Sequence, residues 1–249
     1  MQQLPIKKKA LAMAALATLL LGAGVGTAQA DVCDAPYMHN GGFVQYTGAG
    51  NLQLGADLSF SEVTRSKGGS CRARVQGTAT FSYAGLPPSR SKLDYLMTVA
   101  NGQATFVRYD KAGGQPGDDG PFDLRMLGLF AYENGIKSAG QTFPGASYKI
   151  NIGKDAPVQG ASGTVIRVGQ KTVGQRQNID TVQGSLSCWP ITYDRNSDAS
   201  YATFRNITLP IPALTTKVTD WYCPKPGMVM KQDIAQGSSV STVRVTALR

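Results

Sequence analysis

Histidine occurs once in the 249 residues, as His39, and glutamate only twice, as Glu62 and Glu133. One imidazole weakens a hydrolase triad and a His-rich metal site, and the scarcity of Glu leaves Asp to supply any paired-carboxylate chemistry. Charged residues make up 16% of the chain, below the roughly 25% of an average soluble protein. That composition excludes a coiled coil, a long helical bundle and a polybasic nucleic-acid tail. No C-x-x-C pair exists among the four cysteines, so a zinc array is excluded too. The longest apolar stretch, Ala10 to Leu21, is shorter than the roughly 20 residues a spanning helix needs. What is plentiful is glycine, at 29 residues. The composition fits a Gly-rich, mostly β protein.

Lys7, Lys8 and Lys9 precede that apolar stretch, and Ala28-Gln29-Ala30 follows it as a small-x-small cleavage site before Asp31. This is the three-part logic of a signal peptide over residues 1–30. Taking those three lysines from the formal charge of +9 leaves +6 for the remainder. The expected address is the periplasm, with secretion to the extracellular space as the alternative.

Cys33, Cys71, Cys188 and Cys223 all lie beyond the signal and suit an oxidising compartment. Four cysteines allow three pairings, and the sequential one closes two loops of similar span. Each such loop is worth about 4 kcal/mol in the chain-entropy model. The cysteines read as staples, and neither a metal nor a cofactor is expected.

Period-two alternation recurs through the mature chain. From Cys71 to Tyr83, Cys71, Ala73, Val75, Ala79, Phe81 and Tyr83 share one face while Arg72, Arg74, Gln76, Thr78, Thr80 and Ser82 share the other. Asn101-Gly102 between Lys92–Ala100 and Gln103–Asp110 predicts a tight hairpin. Further strands are expected at 42–47, 57–64, 147–152, 164–169, 179–193, 201–209, 215–222, 228–233 and 239–248. Residues 112–121 read as a loop, and 122–133 as a helix or a strand. The expected fold is all-β with few short helices: an antiparallel curved sheet or half-barrel, stapled by disulfides. Residues 31–140 and 141–249 form its two regions, or one continuous domain.

Few stretches carry chemistry. Asp110, Asp118, Asp119 and Asp123 cluster near the loop, but their spacing does not match a calcium loop. Ser89-Arg-Ser-Lys92 matches S-x-x-K without the helix or companion motifs that chemistry needs. Arg72 and Arg74 give a basic strand face that suits an anionic partner or an ordinary solvent surface.

Asp180-Thr-Val-Gln-Gly184, Cys188-Trp-Pro-Ile-Thr-Tyr193 and Thr219-Asp-Trp-Tyr-Cys-Pro-Lys-Pro-Gly-Met-Val-Met-Lys231 follow one another, with Phe143-Pro-Gly-Ala-Ser-Tyr148 upstream. Over about residues 142–248 this cadence resembles a set of exported bacterial proteins near the half-barrel of the Lol-type lipoprotein carriers. The resemblance implies a sheet that cradles lipid. Trp189, Trp221 and Tyr222 would then form either a core cluster or the rim of an apolar site. The resulting expectation is a non-enzymatic envelope protein that binds an apolar or amphipathic component or supports envelope assembly. Its partner would be a lipid or another envelope component, and not a nucleic acid. The alternatives are a hydrolase or lyase acting on an envelope polymer, and a small outer-membrane barrel or adhesion module.

Overall fold

The computed structural model describes residues 32–66, 69–83, 88–100, 103–108, 132, 136–150, 159–160, 164–204 and 207–249. The expected signal peptide, the expected Asn101-Gly102 turn and 112–121 loop, the acidic residues near that loop and the 122–133 segment apart from Tyr132 lie outside them.

After a 3₁₀ turn at Val32–Asp34 come β1 (Gly42–Ala49), β2 (Leu52–Ser66), β3 (Ser70–Tyr83), β4 (Ser89–Ala100) and β5 (Gln103–Arg108). The second region contributes β6 (Thr142–Phe143), β7 (Ala146–Ile150), β8 (Gln159–Gly160), β9 (Thr164–Val168), β10 (Lys171–Val173), β11 (Gln177–Thr181) and β12 (Gly184–Ser197). It ends with β13 (Ser200–Phe204), β14 (Ile207–Ile211), β15 (Leu214–Cys223), β16 (Met228–Gln236) and β17 (Ser239–Leu248). One antiparallel sheet runs β5-β4-β3-β2-β1-β17-β16-β15-β12-β10-β6, with β11, β9 and β7 attached along its β12 side. Strands β14, β13 and β8 form a small second sheet. The two sequence regions therefore share one sheet, joined where β1 pairs with β17.

Alternation dictates the packing. Leu54, Ala56, Leu58 and Phe60 of β2, Ala73, Val75 and Ala79 of β3, and Tyr95, Met97 and Val99 of β4 are all buried on one face. The opposite face carries Arg72, Arg74 and Gln76, exposed or half-buried. Each fully buried large side chain contributes roughly 1.5–3 kcal/mol. The segment from Val32 to Met38 belongs to the same core, with the Tyr37 and Phe60 rings 5.0 Å apart. Gly42 permits this fit, since a Cβ there would stand 1.9 Å from the Tyr37 carbonyl oxygen. In the middle of β3, Gly77 lets β2 approach closely, where a Cβ would meet the Asp57 carbonyl oxygen at 1.8 Å.

The cysteines pair sequentially, Cys33 with Cys71 and Cys188 with Cys223. The first ties the N-terminal segment to β3, and the second joins β12 to β15. All-β architecture, antiparallel pairing and disulfide stapling agree with the sequence, and the sheet is open rather than closed into a barrel. That openness argues against the outer-membrane barrel, whose strands must close to satisfy every edge in lipid. Two expected strands divide. Residues 179–193 break at a turn after Thr181, where Gly184 has φ +89°, and 201–209 form the β13–β14 hairpin.

Candidate functional site

The buried face changes character between β10 and β16. On β15, Val218, Asp220 and Tyr222 share the buried phase, and Asp220 has no exposed surface. Its cross-strand partner is Gln232 on β16, equally buried. Gln232 donates from Nε2 to Asp220 Oδ1 at 2.7 Å. Tyr132 donates its hydroxyl to Asp220 Oδ2 at 2.9 Å. Tyr193 of β12 is a third hydrogen-bond donor to the same carboxyl. Lys171, on β10, places its ammonium 4.6 Å from the Tyr132 ring centre and 4.7 Å from that of Tyr193. Phe143 and Tyr222 flank Tyr132 edge-on at 5.7 and 6.0 Å.

Burial drives the electrostatics of this cluster. It pushes Asp220 above its ordinary value, while the charge of Lys171 and the three hydrogen bonds pull downward without cancelling it. Burial, and then the neighbouring Asp220, hold the hydroxyls of Tyr132 and Tyr193 protonated well beyond their ordinary range. The arrangement is a polar focus inside an apolar wall: a carboxyl that keeps its proton more tightly than in water, surrounded by donors and aromatic rings. Such a focus offers hydrogen bonds only to groups that reach it through the core. Among the described residues no three His, Cys, Asp or Glu side chains gather as a metal site.

The residues singled out from the sequence do not converge. Trp189 and Tyr222 face one another across β12 and β15, and both are buried. Arg176 covers the Trp189 ring, its guanidinium 4.5 Å from the ring centre. Trp221 lies on the other face, donating its indole N–H to Asp233 at 2.9 Å beneath the Lys231 ammonium. Arg72 is exposed far along the sheet on β3. Arg74 is held by Asp94, at 2.9 and 3.0 Å, and by Glu62 at 3.3 Å. These ion pairs occupy the solvent face, where such contacts add little.

Asp220, Gln232, Tyr193, Tyr132 and Lys171 were not singled out from the sequence. The signal was present for one of them: within 215–222, Asp220 falls in phase with Val218 and Tyr222, a carboxyl where alternation demands an apolar side chain.

No protein-family model matches the chain, and no curated protein matches it. Two solved structures are similar in the course of the chain. One is a candidate lipoprotein from Parabacteroides distasonis, with TM-score 0.49 and 14% identity over 85% of this chain and 96% of that one. The other is a candidate exported protein with a YmcC-like fold from Bacteroides fragilis, with TM-score 0.42 and 11% identity over 86% and 99%. Nothing about ligand or activity follows from either. The cadence over 142–248 accordingly stands on its residues, with no match to a Lol-carrier family behind it.

Proposed function

We propose that this is an exported, non-enzymatic envelope protein of the periplasm that binds an amphipathic envelope component against the buried face of its open sheet. One observation carries the reading: the face is largely apolar from β4 across β1 to β16, and the only charged side chain buried among the described residues, Asp220, gathers Gln232, Tyr132 and Tyr193 there. An apolar wall with one placed group of donors and acceptors is how pockets for small molecules combine affinity with orientation. The disulfides Cys33–Cys71 and Cys188–Cys223 support an extracytoplasmic setting.

The test is native mass spectrometry of the full chain purified without detergent from its own host. A bound mass of lipid-like composition is expected, or one acquired on incubation with a total envelope lipid extract. A clean unliganded mass in both experiments overturns the reading.

A further inference from the structure

The part of β12 beside the Cys188–Cys223 disulfide carries a second feature, where two side-chain donors, the Trp189 indole and the Arg176 guanidinium, come together. Trp189 is 8% exposed, and its indole N–H has no acceptor among the described residues. A buried donor left unpaired is costly, and an incoming acceptor would satisfy it. Above the same ring lies the Arg176 guanidinium. Arg176 is exposed and makes no ion pair among the described residues.

Its position is built in by the backbone. Gly174 donates its N–H to the Pro190 carbonyl at 2.7 Å, and a Cβ on Gly174 would stand 2.9 Å from the Pro190 ring. Three residues later, Gln177 enters the β11–β12 ladder opposite Cys188. The short run between these two anchors sets the backbone of Arg176 beside Trp189. Cys223, bonded to Cys188, leads into the turn that carries the exposed Lys225, which adds positive charge at this end of the sheet.

We infer that Arg176 and Trp189 form a binding site for an oxyanion of the phosphate class. The inference deepens the reading above, on which it rests, by giving the amphipathic ligand an anionic head. An indole N–H and a guanidinium can only donate, so the ligand must accept. A guanidinium fork stacked on one face presents its N–H edge to two oxygens of a phosphate. The head can come from a phospholipid or from free phosphate.

The experiment is calorimetric titration of the full chain with inorganic phosphate at constant ionic strength. Vesicles of phosphatidylglycerol in phosphatidylcholine, and of phosphatidylcholine alone, are run in parallel. Saturable phosphate binding that weakens at least tenfold in Arg176→Gln is expected, and Trp189→Phe should weaken it as well. The exposed position of Arg176 keeps that variant folded, and its thermal midpoint checks this. Binding of phosphatidylglycerol vesicles in addition assigns the source to a lipid head, whereas phosphate binding alone assigns it to the free anion. No saturable phosphate binding, or binding unchanged in Arg176→Gln, overturns the site. If that happens while lipid still co-purifies with the chain, the oxyanion site fails and the envelope-binding function stands.

Discussion

Asp220 and Asp233 sit on one strand pair, one register step apart and on opposite faces, and their chemistry diverges. Asp220 faces Gln232 in the core, while Asp233 faces Thr219 on the outer side. Burial raises the first, and three donors and a nearby lysine do not reverse it. Burial also pushes Asp233 upward, but hydrogen bonds from Lys231, Thr242 and Trp221, with the Lys231 charge, outweigh it and leave the carboxyl below its ordinary value. The ammonium of Lys231 is 2.7 Å from Asp233 Oδ2. That of Lys171 is lodged between two tyrosine rings. A direct ion pair in partial contact with water favours the charge; a lysine held by aromatic faces compensates a buried carboxyl only in part. Outer-face carboxylates here serve the sheet, and the buried one is the candidate for function.

The sharpest way to break this contrast is Asp220→Ala. It strips Tyr132, Tyr193 and Gln232 of a shared acceptor inside the core, and a loss of about 3–5 kcal/mol is expected. Urea unfolding measures it, and a loss below about 1 kcal/mol would show that the cluster holds nothing together.

A smaller effect separates the two carboxyls by pH. The reference value for both is 3.8. Folded Asp220 binds its proton more tightly than the unfolded chain does, so its stabilising contribution is fully present below 3.8 and is lost as pH rises through its folded value. Asp233 runs the other way: its contribution is present above 3.8 and is lost as pH falls through its lower folded value. In thermal melts taken from acid to neutral pH, Asp220→Asn should remove the decline on the rising side. Asp233→Asn should remove the loss at the acid end. Identical profiles for the two variants would erase the distinction.

The smallest expected effect is that of Trp221→Phe, which deletes one donor to Asp233 and keeps the ring. About 1 kcal/mol is expected, with the acid limb of the stability profile moved toward higher pH. An unmoved limb would mean that Trp221 contributes packing alone.

Much of the frame was legible because alternation and turn chemistry are local properties. The Cys71–Tyr83 pattern marked β3 and its buried face, and the cysteine order agreed with the bonds formed. Residues 179–193 read as one strand because Thr181 to Gly184 offers only one glycine between two alternating runs, and the turn depends on that glycine's left-handed backbone. The Asp220 cluster was harder, since it depends on distant register. Gln232 meets Asp220 across a hairpin, Tyr193 approaches from β12, Lys171 comes from a three-residue strand, and Tyr132 reaches in from another part of the chain. Arg176 carried no periodic signal at all; it lies over Trp189 through the contact between Gly174 and Pro190.

The pairing of β1 with β17 has a consequence for the order in which the sheet can be completed. Thr47 and Thr246, 199 residues apart, approach within 3.3 Å, and Phe43 and Arg249 exchange backbone hydrogen bonds. The middle of the sheet is thus stitched from two strands far apart in the sequence. A chain made amino end first keeps that edge of β1 vacant until β17 is available. Its weakest moment is the wait for β17, when that edge is open to any other strand.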